Sequence, residues 1–249
     1  MRFCRLLVVF SLLSTCSVVS AESKESGWTP LFNKKDFSGW YIISGSFKKN
    51  DDPNHLFQIH DGMVHIYKDA DDRSNQPSGY IVTEKEYSNY HLRFQYKWGT
   101  KKFGAKVDAQ RDAGLLYHVI GPDGVWPKSV ECQVQEGDTG DIFTVNTRVV
   151  TTVDPTTTNQ VSTLVTNASS GEIKTNSSVR PKFLDAKDGG VEIVQGVSGG
   201  IRRVMRNPEN EKEGWNTVEV ITRGSSSTHL INGKVNNKIL RLEEMVDGK

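Results

Sequence analysis

Polar and apolar residues alternate along much of the chain. From Tyr90 to Trp98 the apolar set Tyr90, Leu92, Phe94, Tyr96 and Trp98 interleaves with His91, Arg93, Gln95 and Lys97, the pattern of a strand with one buried face. Phe57-Gln58-Ile59-His60 and Met63-Val64-His65-Ile66 flank Asp61-Gly62, which predicts a hairpin, because the tight turn needs positive φ and glycine accepts it at little steric cost. Gly114 to Ile120, Val130 to Gln135, Val191 to Gln195, Thr217 to Thr222 and Thr228 to Ile231 add further strands, the last followed by Asn232-Gly233. Helical periodicity is scarce. Many short strands separated by turn signals predict an all-β sandwich of two antiparallel sheets rather than a parallel α/β sheet. Residues 144–178 are dominated by Thr, Ser, Asn and Val with only short β-like runs such as Thr147 to Val153, and read as a long insertion or loop.

The first residues have a different character. Arg2 and Arg5 make a basic start, Leu6 to Leu13 is almost wholly apolar, and Val19-Ser20-Ala21 supplies small residues at a cleavage position. Residues 1–21 therefore read as a secretory signal peptide, leaving 22–249 as a single β-sandwich domain in a secreted or periplasmic protein. The apolar run is too short to span a bilayer and no second long one follows, so no transmembrane segment is expected. The rival reading makes Leu13-Ser14-Thr15-Cys16 a lipoprotein processing site with Cys16 lipidated, although Thr15 stands where Gly or Ala is usual. After cleavage only Cys132 remains, which excludes an internal disulfide, and its alternation with Val130 and Val134 predicts a packing role. The net charge of +1, from 31 basic and 30 acidic residues without a long basic cluster, argues against nucleic acid as a partner. Asn167-Ala168-Ser169 and Asn176-Ser177-Ser178 match the N-glycosylation acceptor pattern.

Candidate chemistry gathers in three polar rows. Alternation puts Glu131, Gln133 and Gln135 opposite Val130, Cys132 and Val134. Asp112, Gly114, Leu116 and His118 share a face of a neighbouring predicted strand, and His91, Arg93, Gln95 and Lys97 form a third row. Together they are expected to line one polar groove, although each row also fits the solvated face of an antiparallel sheet.

Six stretches, in this order, resemble one family. They are Gly27-Trp28-Thr29-Pro30-Leu31-Phe32-Asn33 with Phe37-Ser38-Gly39-Trp40; Phe57 to Gly62; Ile81-Val82-Thr83 through Tyr87 to Tyr96; Asp112-Ala113-Gly114-Leu115-Leu116-Tyr117; Glu131-Cys132-Gln133-Val134; and Gly214-Trp215-Asn216 with His229-Leu230-Ile231-Asn232-Gly233. The chain is similar to the 3-keto-disaccharide hydrolase domain, which implies a concanavalin-like jelly roll acting on sugar. Asp112-Ala113-Gly114 replaces the family's usual Asn-Ser-Gly, and Cys132 replaces a frequent aromatic. The family also continues past the Asn-Gly hairpin to a strand ending in an aromatic-Arg-Asn pattern. Its absence before Gly248-Lys249 leads to the expectation that a C-terminal strand is lacking.

The resemblance implies a definite chemistry. A ketone at C3 acidifies the hydrogen at C2, so a base can remove it, the glycosidic oxygen at C1 can leave, and water can add afterwards. Glu131 or His118 is the expected base, with Asp112, Gln133, Arg93 and Glu136 expected to hold substrate and a divalent ion on His118 and Glu131 as an option. Two other readings compete. Glu131-x-Gln133-x-x-Glu136 resembles the catalytic strand of jelly-roll β-glucanases, with Gln133 where those carry Asp, and a bulge would be needed to bring Glu131 and Glu136 together. A non-catalytic sugar-binding module fits the same scaffold.

Overall fold

The computed structural model describes residues 4–10, 17–19, 27–45, 48–124, 127–157, 181–196, 201–204 and 210–243. Sixteen strands occur among them: β1 (Cys4–Phe10), β2 (Ser17–Val19), β3 (Trp40–Ile43), β4 (Phe57–His60), β5 (Met63–Ile66), β6 (Gly79–Tyr87), β7 (His91–Tyr96), β8 (Asp112–Ile120), β9 (Lys128–Gln135), β10 (Ile142–Val145), β11 (Arg148–Val153), β12 (Val191–Gln195), β13 (Ile201–Val204), β14 (Asn216–Arg223), β15 (Ser226–Ile231) and β16 (Lys234–Glu243). Only short 3₁₀ turns interrupt the strands, and no helix is long and apolar enough to cross a membrane among the described residues.

Two antiparallel sheets form a jelly-roll sandwich. One runs β13-β10-β9-β8-β1-β6-β3 and the other β12-β11-β16-β15-β14-β7-β2-β5-β4. Alternation decides what faces inward. Leu115, Tyr117, Val130, Cys132, Val134 and Ile142 from the seven-stranded sheet meet Phe94, Tyr96, Val149, Val218, Val220, Ile231 and Ile239 from the nine-stranded sheet in one buried core. The predicted hairpins stand: Asp61 and Gly62 (φ 52° and 70°) join β4 to β5, and Asn232 and Gly233 (φ 51° and 79°) join β15 to β16.

One feature departs from the sequence reading, and two others concern the two ends of the described residues. Residues 144–153 are not loop: they end β10 and make β11, an inner strand held between β12 and β16. Alternation is weak there because Thr151 and Thr152 are themselves buried, and Thr151 donates its hydroxyl to the Lys238 carbonyl at 2.6 Å. Second, β16 follows the Asn232-Gly233 turn and pairs with both β15 and β11. Third, the apolar run at the N-terminus is paired as β1 between β6 and β8, with Val8 opposite Ile81 on one side and Leu115 on the other, while β2 lies between β5 and β7. A short apolar run rich in Leu and Val meets the needs of an inner strand as well as those of an export signal. Cys16, Ser20, Ala21, Asn167, Asn176 and residues 244–249 lie outside the described residues.

Candidate functional site

The outer face of the seven-stranded sheet is built by β8, β9 and β10. Leu116 on β8 points away from the core and packs with Tyr41, Ile43, Tyr80 and Val82, a second apolar cluster on that face. Register then fixes the rest: Leu116 is opposite Glu131, Gly114 opposite Gln133, and Asp112 opposite Gln135. Asp112, Glu131, Gln133 and Gln135 therefore share one face, as their alternation predicted.

Gly114 shapes this face. A Cβ at Gly114 would overlap Glu131 Oε1 and lie 2.7 Å from Glu131 Cδ, so the carboxyl of Glu131 lies across the neighbouring strand in space that only glycine leaves open. Glu131 and Gln133 are 5% and 4% exposed. The Gln133 side-chain carbonyl accepts the Val134 amide at 3.0 Å. At the edge, Asp112 pairs with Lys106 at 2.8 Å.

Asp141 joins the site without having been singled out from the sequence. Gly140 (φ +95°) is the first residue of a one-residue bulge: its amide donates to the Gln133 carbonyl at 2.8 Å, and Gln133 N donates to Asp141 O at 3.0 Å. The register brings Asp141 opposite Gln133, one step from the Ile142–Cys132 pair, and buries it completely. The signal was there in Gly-Asp-Thr-Gly-Asp, where a turn followed by a glycine bulge resets alternation. The charges of Glu131 and Asp141 add to burial, the larger cause, in pushing the Cys132 thiol well above its usual range. Cys132 is thus the buried packing residue that alternation predicted, and its thiol stays protonated.

The hairpin carrying these residues is bolted to the opposite sheet. The Gly140 carbonyl accepts from Asn237 Nδ2 at 2.8 Å and lies 3.1 Å from His229 Nδ1; the Thr139 carbonyl accepts from Asn236 Nδ2 at 3.1 Å. A carbonyl can only accept, so His229 carries its proton on Nδ1. Its Nε2 therefore accepts from the Tyr117 hydroxyl at 2.8 Å, and Tyr117 in turn accepts from Ser227 at 2.7 Å. Burial lowers the His229 pKa to about 4, so the imidazole is neutral near pH 7.

Two expected members of the site are elsewhere. β8 gains one residue between Tyr117 and Ile120 relative to β9, and His118 sits in that bulge at φ +53°. Val119 takes the outward place, packing against the Tyr41, Tyr80 and Leu116 cluster, while the His118 ring lies 5.2 Å from the ring of core-facing Tyr117. His118 does not share the face of Glu131; burial lowers its pKa, and its Nε2 has no hydrogen-bond partner among the described residues. Arg93 belongs to the other sheet. Its neighbours Leu92 and Phe94 pack toward the core, so Arg93 points outward on the far side of the sandwich, 4.2 Å beneath the Trp28 ring, and the row His91, Arg93 and Gln95 does not join the groove. Glu136 is held by Arg111, 2.7 Å to Nη1 and 3.1 Å to the backbone amide, at the end of the β8–β9 pair. The bulge in this hairpin falls at Gly140, ahead of β10, and not between Glu131 and Glu136. Among the described residues no three His, Cys, Asp or Glu side chains group as a metal site. A cavity of about 450 Å³ lined by Ile120, Pro122, Asp123 and Lys128 has none of Glu131, Gln133 or Asp141 in its wall.

Residues 27–245 match the family described as the 3-keto-alpha-glucoside-1,2-lyase-like domain, and the chain belongs to this family. The match begins after β1 and β2. A solved structure of a candidate glycosyl hydrolase from Parabacteroides distasonis is similar at 19% identity and a TM-score of 0.43, covering 89% of this chain and 77% of that one. No curated protein matches the chain significantly.

Proposed function

We propose that this protein cleaves 3-keto-glycosides by elimination across C1 and C2, with Glu131 as the proton-accepting carboxylate. The observation that carries the reading is the placement of Glu131: a carboxyl over Gly114, beside Gln133 and Asp141, on a chain that belongs to a 3-keto-glucoside lyase-like family. Glu131 takes the C2 proton, the electron pair passes to the C3 oxygen as an enolate, and its return expels the C1 oxygen as the leaving alcohol. The Gln133 amide is a neutral donor suited to the C3 oxygen, and Glu131, having taken the C2 proton, is the acid that can return it to the leaving oxygen. Water added at C1 completes net hydrolysis. Glu131 is 5% exposed, so a sugar reaches it only when this face is uncovered.

Residues 1–21 are read here as an export leader, on their basic start, apolar run and small residues at 19–21, and on a family match that starts at residue 27. Incubation of the purified protein with a 3-keto-glucoside and with the unoxidised glucoside, followed by mass spectrometry, tests the reaction. Cleavage confined to the ketone is the expected result; cleavage of neither, or of both alike, overturns it.

A further inference from the structure

The turn between β9 and β10, Glu136-Gly137-Asp138-Thr139-Gly140, decides where Asp141 and Gln133 stand, because the Gly140 bulge sets their register. The turn's far end is fixed by the contacts of Asn236, Asn237 and His229 to the Thr139 and Gly140 carbonyls, and Glu136 is held by Arg111. A further side chain, outside both strands, fixes its start at Gly137. Glu211 Oε1 accepts from the Tyr96 hydroxyl and from Trp98 Nε1, each at 2.9 Å, and Glu211 Oε2 accepts from the Gly137 amide at 2.7 Å. Tyr96 is fully buried at the end of β7, and its hydroxyl is also 2.7 Å from Thr139 Oγ1. The carboxylate thus ties the start of the turn to rigid aromatic donors of the opposite sheet, with both oxygens used.

We propose that Glu211 is a positioning residue for the Glu131, Gln133 and Asp141 face, acting through the Gly137 amide and the Gly140 bulge. This rests on the elimination reading for its catalytic consequence but not for its structural one. Charge-assisted bonds of this kind are about twice as strong as neutral ones, and a misplacement of about 1 Å at a reacting centre costs roughly 10²-fold in rate. Glu211→Gln keeps the shape and can still accept from Tyr96 and Trp98, but its NH₂ then faces the Gly137 N–H, two donors opposed. Glu211→Ala removes all three bonds.

Both variants are made in the full chain and read in two independent ways. Amide exchange at Gly137 and Gly140 and the side-chain carboxyl carbon shifts of Glu131 and Asp141 are followed by NMR; kcat and KM are measured on a 3-keto-glucoside well below the melting temperature. The expected result for Glu211→Gln is at least tenfold faster exchange at Gly137, displaced carboxyl shifts, and kcat down roughly tenfold with KM within a factor of three. Glu211→Ala does the same more strongly. Unchanged exchange and carboxyl shifts in both variants overturn the proposal, as does a lower melting temperature with kcat unchanged. If the wild type cleaves no 3-keto-glucoside, the elimination reading fails while the exchange and shift measurements still decide the positioning role.

Discussion

The carboxyl of Glu131 occupies the space above Gly114 on the adjacent strand, so close that a methyl group there would overlap it. Gly114→Ala therefore has to move Glu131 or the strand. Overpacking of this kind costs about 1–3 kcal/mol, read as a lower urea midpoint, and the displaced carboxyl loses its alignment. Gly114→Ala should lose at least tenfold in kcat while the folded fraction at 25 °C stays high. Full activity with unchanged stability would show that the carboxyl does not lie where the structure has it.

Replacing Glu131 by Gln removes the proton acceptor while keeping size and most hydrogen bonding. Turnover should fall by roughly 10²-fold or more with KM little changed, because the lost interaction belongs to the transition state. Steady-state kinetics on a 3-keto-glucoside, together with an unaltered circular dichroism spectrum, make the check. A variant with wild-type kcat would remove Glu131 from the reaction.

Much of the fold was legible from period-two alternation, because a strand buried on one face writes its environment into every second residue. β4, β5, β7, β8, β9, β12, β14 and β15 follow from that rule. β11 escaped because its inward and outward residues are both β-branched and some of its threonines are buried and hydrogen-bonded. Alternation, where uninterrupted, made the shared face of the candidate site legible on β9 and at Asp112. It failed where a single extra residue shifts the phase: the bulge on β8 gives His118's outward place to Val119, and the bulge at Gly140 brings in Asp141. Arg93 falls outside this face for another reason: alternation tells which residues share a face of one strand, but not which sheet the strand joins.

His229 makes stability depend on pH. Its pKa is about 4 in the fold against 6.5 when exposed, so the unfolded chain binds the extra proton first. The contribution is fully present above pH 6.5, declines as pH falls toward 4, and amounts to about 3 kcal/mol at most. Urea unfolding at pH 7 and at pH 4.5 should show the loss, and His229→Gln should flatten that difference. An identical pH slope in the variant would place the titrating group elsewhere.

Residues 4–10 are paired between β6 and β8, and the leader reading proposed above removes them on export. Mass spectrometry of the exported protein is expected to find an N-terminus at Glu22. The amides of β6 and β8 that face the vacated position should then exchange faster than in the unprocessed chain. Recovery of exported protein with Met1 to Ala21 still attached would contradict the leader reading and make β1 a permanent strand.

Elimination is tested most directly at the C2 hydrogen of the substrate. A 3-keto-glucoside deuterated at C2 is turned over in ordinary water, and the deuterium content of product and solvent is followed by NMR beside the rate for the unlabelled sugar. Proton removal by Glu131 requires the deuterium to leave for solvent, with slower turnover when that step limits the rate, and requires the unoxidised glucoside to be inert because its C2 hydrogen is far too weakly acidic. Retention of deuterium at C2 with equal cleavage of oxidised and unoxidised glucosides would contradict the elimination mechanism.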